Sequence, residues 1–304
     1  MINLRYHIVS LAATFLAFGL GILAGTTVID QGLVHSLRQN TTALENDLNT
    51  VKAQTAALQK QLQVSDRFGD AIQQPLMQGR LSGRAVVVVS DGRVPGAVLS
   101  GLDQAFRFAG AKRPTRITLT AKWALDRQPT TDRLRQALGI TSSTSDTVLQ
   151  EAAARLGQRI GGSADPHADG DTIKALDDAG FISMRDLPSS GAFPAANAVV
   201  VVVSSGDPQE VPAPDGFFLP LLRAITSARV VAAVEPVTAD QSLAELVRSD
   251  GALSHSVCTV DHVDTVAGRL SLVYGLRDLI EGKPPEHFGI RGGATAVAPV
   301  LGAA

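Results

Sequence analysis

The residues best suited to chemistry fall in one short stretch, His255-Ser256-Val257-Cys258-Thr259-Val260-Asp261-His262. Imidazole with thiolate ligates Cu(I), and imidazole with carboxylate suits Cu(II) or Zn(II). His255, Cys258 and His262 are therefore the candidate metal ligands, with copper as the candidate ion. In an extended strand Cys258 and His262 share a face and His255 points the other way, so a single site needs a bend. The same stretch also reads as a small buried apolar side chain, Cys258, at a strand centre, with histidines at the loop ends. His287, beside Phe288 and Gly289, is a further ligand from the following loop that no spacing requires.

Other chemistry is missing from the sequence. It contains no G-x-G-x-x-G, no G-x-x-x-x-G-K-[ST], no G-x-S-x-G and no H-E-x-x-H. The loop Ser90-Asp91-Gly92-Arg93 follows a strand-like run without the glycines that cradle phosphate. Ser204-Ser205-Gly206 sits where an open sheet binds ligands, yet three small residues also make a turn. Asp177 and Asp178 are adjacent on a helix and point apart. No catalytic residue is assigned, and the expectation is a protein that is not an enzyme.

The elements that must position the 255–262 stretch follow from its neighbours. Ala85–Val89, Ala198–Val203 and Arg229–Val234 are β-rich runs bounded by turn residues, with Ile117–Thr120 and Val257–Val260 as weaker strands. Nearly continuous valine signals strands buried on both faces, as in parallel sheets. Helical patterns fall between them at Pro95–Ala109, Thr144–Ile160, Thr172–Ala179, Phe217–Thr226, Ser242–Ser249 and Val263–Ile280. The fold class is α/β: an open, mostly parallel, helix-flanked sheet over residues 84–290, with 291–304 a flexible tail.

Upstream the pattern differs. No Asp, Glu, Lys or Arg occurs from Tyr6 to Ile29, and 22 residues, Ile8–Ile29, suffice to cross a ~30 Å hydrocarbon core. Residues 8–29 read as a single transmembrane anchor. A cleaved signal peptide is the rival, kept open by Ala24-Gly25-Thr26-Thr27. Arg5 precedes the span and Asp30 follows it, so residues 1–7 are expected in the cytoplasm and the bulk of the chain outside. An apolar helix argues for the plasma membrane over an outer membrane, which usually holds barrels. Gly21 and Gly25 form a small-xxx-small pair suited to close helix packing.

From residue 33 to 68 a heptad pattern runs without proline or glycine. Seven of its ten seam positions are apolar, among them Leu37, Leu44, Leu48, Val51, Leu58 and Leu62. This predicts a coiled-coil stalk and a parallel homodimer or higher oligomer. The alternative is one amphipathic helix folded back on its own domain. The helix is expected to end near Gly69, with Pro75 and Gly79 marking a linker.

Composition bounds the partners. Of 304 residues, 27 are Lys or Arg and 29 Asp or Glu, a formal charge of −2, so no basic excess is present to bind nucleic acid. The single cysteine excludes an intrachain disulfide.

Two blocks carry a resemblance. Ile2-Asn3-Leu4-Arg5-Tyr6-His7-Ile8-Val9-Ser10-Leu11-Ala12-Ala13 runs into Phe15-Leu16-Ala17 and Gly21. Thr259-Val260-Asp261, Asp264, Gly268-Arg269, Leu276, Asp278-Leu279-Ile280, Gly282 and His287-Phe288-Gly289 form the second block. With the heptads between them, these resemble the actinobacterial copper transporter family, from which the pattern departs at Cys258. The resemblance implies a cell-envelope protein of an actinobacterium with a role in copper export or homeostasis. Some proteins similar to this family instead look like scaffolds of the division machinery, whose outer coiled coil regulates peptidoglycan hydrolases. Copper handling and a non-enzymatic scaffold with an envelope partner therefore stand as two expectations.

Overall fold

A computed structural model describes residues 4–162, 171–186, 196–204, 214–227, 229–237 and 242–300, with the side chains of 4, 26–34, 36 and 214 outside the description. The chain divides into two compact units, Met1–Ser65 and Asp66–Ala304. In the first, the described residues belong to one helix, α1, whose full extent is Leu4–Met77. Anchor and heptad segments are thus continuous helix. The expected end near Gly69 is corrected: α1 continues through Pro75 to Met77. Packing outweighs the missing proline N–H. Gln73 and Met77 are buried, Gly69 lies so close to Val266 that a methyl would approach its Cβ to 3.0 Å, and Tyr274 Oη donates to Leu76 O at 3.2 Å.

The second unit is built on a seven-stranded sheet, β1 (Val86–Asp91), β2 (Thr115–Leu119), β3 (Ile182–Arg185), β4 (Ala198–Val202), β5 (Val230–Val234), β6 (Val257–Val260) and β7 (His287–Phe288), in the order β3-β2-β1-β4-β5-β6-β7. All neighbouring pairs are parallel except β2–β3. The sheet is therefore mixed, with one antiparallel edge. Between the strands lie α2 (Gly96–Phe108), α3 (Gln128–Leu138), α4 (Ser145–Gly161), α5 (Thr172–Asp178), α6 (Pro214–Thr226), α7 (Leu243–Ser249) and α8 (Val266–Ile280).

Strand pleat divides the core into two layers. Val87, Val89, Val199 and Val201 face Trp123, Phe181, Phe217, Phe218 and the helices α3 to α7. Val86, Val88, Val200 and Val202 face α2, α8 and the last turns of α1. Both faces are covered, which is why the valine runs show no alternation in sequence. Side-chain caps start several helices: Thr144 Oγ1 accepts from Thr147 N at α4, Asp171 from Ile173 and Lys174 N at α5, and Thr265 from Gly268 N at α8.

The first residues beyond 290, expected as part of a flexible tail, bond to the sheet unit, while 301–304 lie outside the described residues. Through Ala296 the chain is tied down: Gly289 N donates to Ala296 O at 2.8 Å, Thr295 N to His287 O at 2.8 Å, and Gly292 N to Glu245 Oε1 at 2.9 Å.

Candidate functional site at the carboxyl ends of the strands

Open parallel sheets bind ligands beyond the carboxyl ends of their strands, at the point where strand order reverses. Here the chain turns back between β1 and β4, and buried polar residues line that edge: Asp91 ending β1, Ser204 after β4, Glu235 after β5, and Asp261 and His262 after β6. Each carboxylate is engaged by its own chain. Asp91 accepts from Ser204 N at 2.7 Å and Arg93 N at 3.1 Å. Burial raises its pKa, outweighing those backbone bonds and the Arg93 charge. Glu235 accepts from Ser242 Oγ and Ala244 N and lies 3.7 Å from Arg291 Nε. Burial again raises it, more than the Ser242 bond lowers it.

Asp261 differs. Its Oδ1 accepts from Ile290 N at 2.9 Å, and its Oδ2 from Arg291 N at 3.1 Å and Arg248 Nη1 at 2.8 Å. Burial pushes the carboxyl up, but the Ile290 N–H, the Arg248 guanidinium and the Arg291 N–H prevail and hold it below the ordinary value. Arg248, on the last turn of α7, also donates from Nε to Thr259 Oγ1, from Nη2 to Phe288 O and from Nη1 to Gly292 O. One buried cation thus gathers β6, β7 and the 288–292 loop. Arg248 was not legible in the sequence, because a cation at a helix end reads as a surface residue, and neither was Glu235, a lone carboxylate after a strand.

His287 closes a relay. Thr259 Oγ1, already accepting from Arg248, donates to His287 Nδ1 at 3.0 Å, which leaves the ring proton on Nε2 facing Ser254 O at 3.1 Å. Burial lowers its pKa, so the ring is neutral near pH 7 and both nitrogens are committed. Burial likewise depresses His262, against the opposing pull of Asp261 and Asp264.

His255, Cys258 and His262 are not brought together. His255 is exposed on the 3₁₀ turn Leu253–His255, with Nδ1 3.0 Å from Gly251 O. Cys258 is buried in β6 against α8, where a methyl on Gly275 would lie 2.5 Å from Sγ. Burial pushes this thiol up to about 12, so it is not a thiolate. His262 lies beyond the strand end. Among the described residues no three His, Cys, Asp or Glu side chains are grouped as a metal ion requires. The physical reason is that β6 is an internal strand covered on both faces, and its inward positions are filled by packing.

Residues of the second block carrying the resemblance do meet at this edge. A Cβ on Gly289 would reach 2.0 Å from Asp261 Oδ2, and one on Gly268 would reach 2.0 Å from His262 O. Asp264 accepts from Val237 N at 3.0 Å, and its carbonyl from Arg269 Nη1 at 2.9 Å. Together they close the strand ends by packing and hydrogen bonds.

In the first unit, Arg5–Gly25 is long and apolar enough to cross a membrane, with a mean hydropathy of 2.1. Gly21 and Gly25 have nothing within 4 Å of an added Cβ. Leu37, Leu44, Leu48, Val51, Leu58 and Leu62 are each 50–63 % exposed.

Comparison with known proteins adds what geometry does not. A family model described as "Copper transport outer membrane protein, MctB" matches residues 1–299. The copper transporter MctB of Mycobacterium tuberculosis (strain H37Rv) is 26% identical over 98% of this chain and 99% of its own length, and the Mycobacterium bovis protein of that name matches equally. The Mycobacterium leprae copper transporter MctB is 25% identical, with the same coverage. These names speak for copper transport, and none speaks for a division scaffold.

Proposed function

This chain belongs to the MctB copper transport family, and from that premise we propose that it is a helix-anchored envelope protein whose role is copper export or homeostasis. The observation that carries the reading is the full-length match: relatives named as copper transporters align over 98% of the chain. The apolar segment Arg5–Gly25 supports membrane anchoring. The proposed topology has the N-terminus in the cytoplasm and the sheet unit outside, because Arg5 flanks the span on one side and Asp30 on the other. The family description names the outer membrane. Our reading keeps the plasma membrane, because a lone apolar helix satisfies all its backbone bonds in lipid, whereas outer-membrane spans are closed barrels.

Copper enters as cargo. One helix encloses no pore, and Ile8–Ile29 carries no Met, Cys, His or carboxylate to relay the ion. Passage therefore requires several copies side by side. The solvent-facing row from Leu37 to Leu62 offers the means: a parallel coiled coil that buries these leucines in a second copy.

The test is a deletion strain challenged with copper salts. Increased copper sensitivity and cellular copper are expected, restored by the intact gene and not by one carrying Leu48→Asp and Leu58→Asp. Unchanged copper tolerance alongside defects in division or wall shape would overturn the reading.

A further inference from the structure

A cavity of about 430 Å³ opens at the start of β2, remote in the sheet from the carboxyl-end network. Ala111 and Pro114 supply its apolar floor, and six charged side chains line it: Asp103 and Arg107 on α2, Lys112 and Arg113 on the loop, Arg116 on β2 and Asp186 after β3. The volume lies within the range of small-molecule sites.

Its charges do not cancel. Arg116 pairs with Asp103 and lies 3.9 Å from Asp186, while Arg113 pairs with Asp186 at 2.5 Å. Two carboxylates are thus matched by two guanidiniums. Arg107 and Lys112 remain, exposed at the mouth and in no ion pair among the described residues. Four cations against two anions leave a net charge of +2 over the lining. A guanidinium and an ammonium lining one cavity are the chemistry that pairs with the oxygens of a dianion.

We propose that this cavity binds a phosphate-bearing ligand, its phosphate held by Arg107 and Lys112 and its apolar part lying on Ala111 and Pro114. The two sources of that chemistry are a free phosphate compound and an anionic lipid headgroup. The inference is independent of copper transport.

The experiment uses the full chain in neutral detergent and calorimetric titration with three probes. These are inorganic phosphate, dihexanoyl phosphatidylglycerol below its micelle concentration, and dihexanoyl phosphatidylcholine. The expected result is saturable binding of phosphate or the phosphatidylglycerol, weakened at least about tenfold by Arg107→Gln with Lys112→Gln and retained by Lys112→Arg. Both altered positions are exposed, so the double variant is expected to keep the wild-type Tm, measured on the same sample. Binding of inorganic phosphate identifies a free ligand, and binding of phosphatidylglycerol alone identifies a headgroup. Binding of neither probe, equal binding of phosphatidylcholine, or binding untouched in a folded double variant would overturn the proposal.

Discussion

The buried pair of Arg248 and Asp261 is the sharpest place to test the view that the strand ends are sealed by design. Their side chains are 3 % and 0 % exposed, and Nη1 stands 2.8 Å from Oδ2. Asp261→Ala strands a guanidinium in the interior and releases the N–H groups of Ile290 and Arg291. Breaking one member of such a pair costs about 3–5 kcal/mol. Removing Lys174 from the exposed Lys174–Asp178 pair is the control, because solvent screens such a pair and it contributes little. Urea denaturation followed by the fluorescence of Trp123, the sole tryptophan and buried in the sheet unit, reads that unit without the first. The double variant Arg248→Met, Asp261→Ala should recover part of the loss, since the cation is then no longer orphaned. The pH dependence has a definite sign. A depressed carboxyl contributes stability that is complete above its unfolded pKa of about 3.9 and lost as pH falls through the lower folded value. The wild type minus Asp261→Ala difference should therefore shrink only below about pH 4. A cost for Asp261→Ala no larger than for the exposed control would refute the account.

Four further outcomes test other parts of the molecule. Gly268→Ala drives a methyl into His262 O and should destabilise the sheet unit by about 1–3 kcal/mol or more, read from the urea midpoint. Cys258, buried with its thiol pushed up to about 12, should resist a thiol reagent in the folded chain and react normally in urea; rapid folded-state labelling would contradict its placement. Single cysteines at Leu44 or Val51 in a Cys258→Ser background should crosslink between copies in membranes, and their failure to do so would remove the coiled coil from the proposed function. A reporter active only in the cytoplasm, fused after Ala304, should be silent; activity would reverse the proposed topology.

The sheet was readable because its strands announce themselves. Five valine-rich or β-branched runs match β1, β2, β4, β5 and β6 within two residues at each end. What escaped was weak in hydrophobic signal. The α3 segment QPTTDRLRQAL has few apolar residues, though Pro129 in its first turn and Gly139 at φ 62° mark both its ends. The four-residue β3 and two-residue β7 are edge strands held by neighbours rather than by their own pattern. Spacing placed Cys258 at a strand centre but did not reveal that α8 closes over it at Gly275. Arg248 was illegible for the complementary reason, since only the tertiary fold turns a helix-end cation inward.

The margins of the sheet carry a consequence for how copies meet. An open sheet invites strangers to add a strand wherever backbone N–H and C=O groups stand unpaired. Here one margin is a four-residue strand with Ser183 and Arg185 exposed, ended by Asp186 in a left-handed conformation at φ 61°. The opposite margin is two residues long and overlain by the return of the chain at Ala296, which takes the Gly289 N–H and bridges Phe288. Both selvedges are short and guarded, one by charge and a break in conformation, the other by the chain's own doubling back. Sheet-to-sheet growth, the route to irreversible aggregates, is discouraged at each margin, and association is left to side chains, whose contacts can be made and undone.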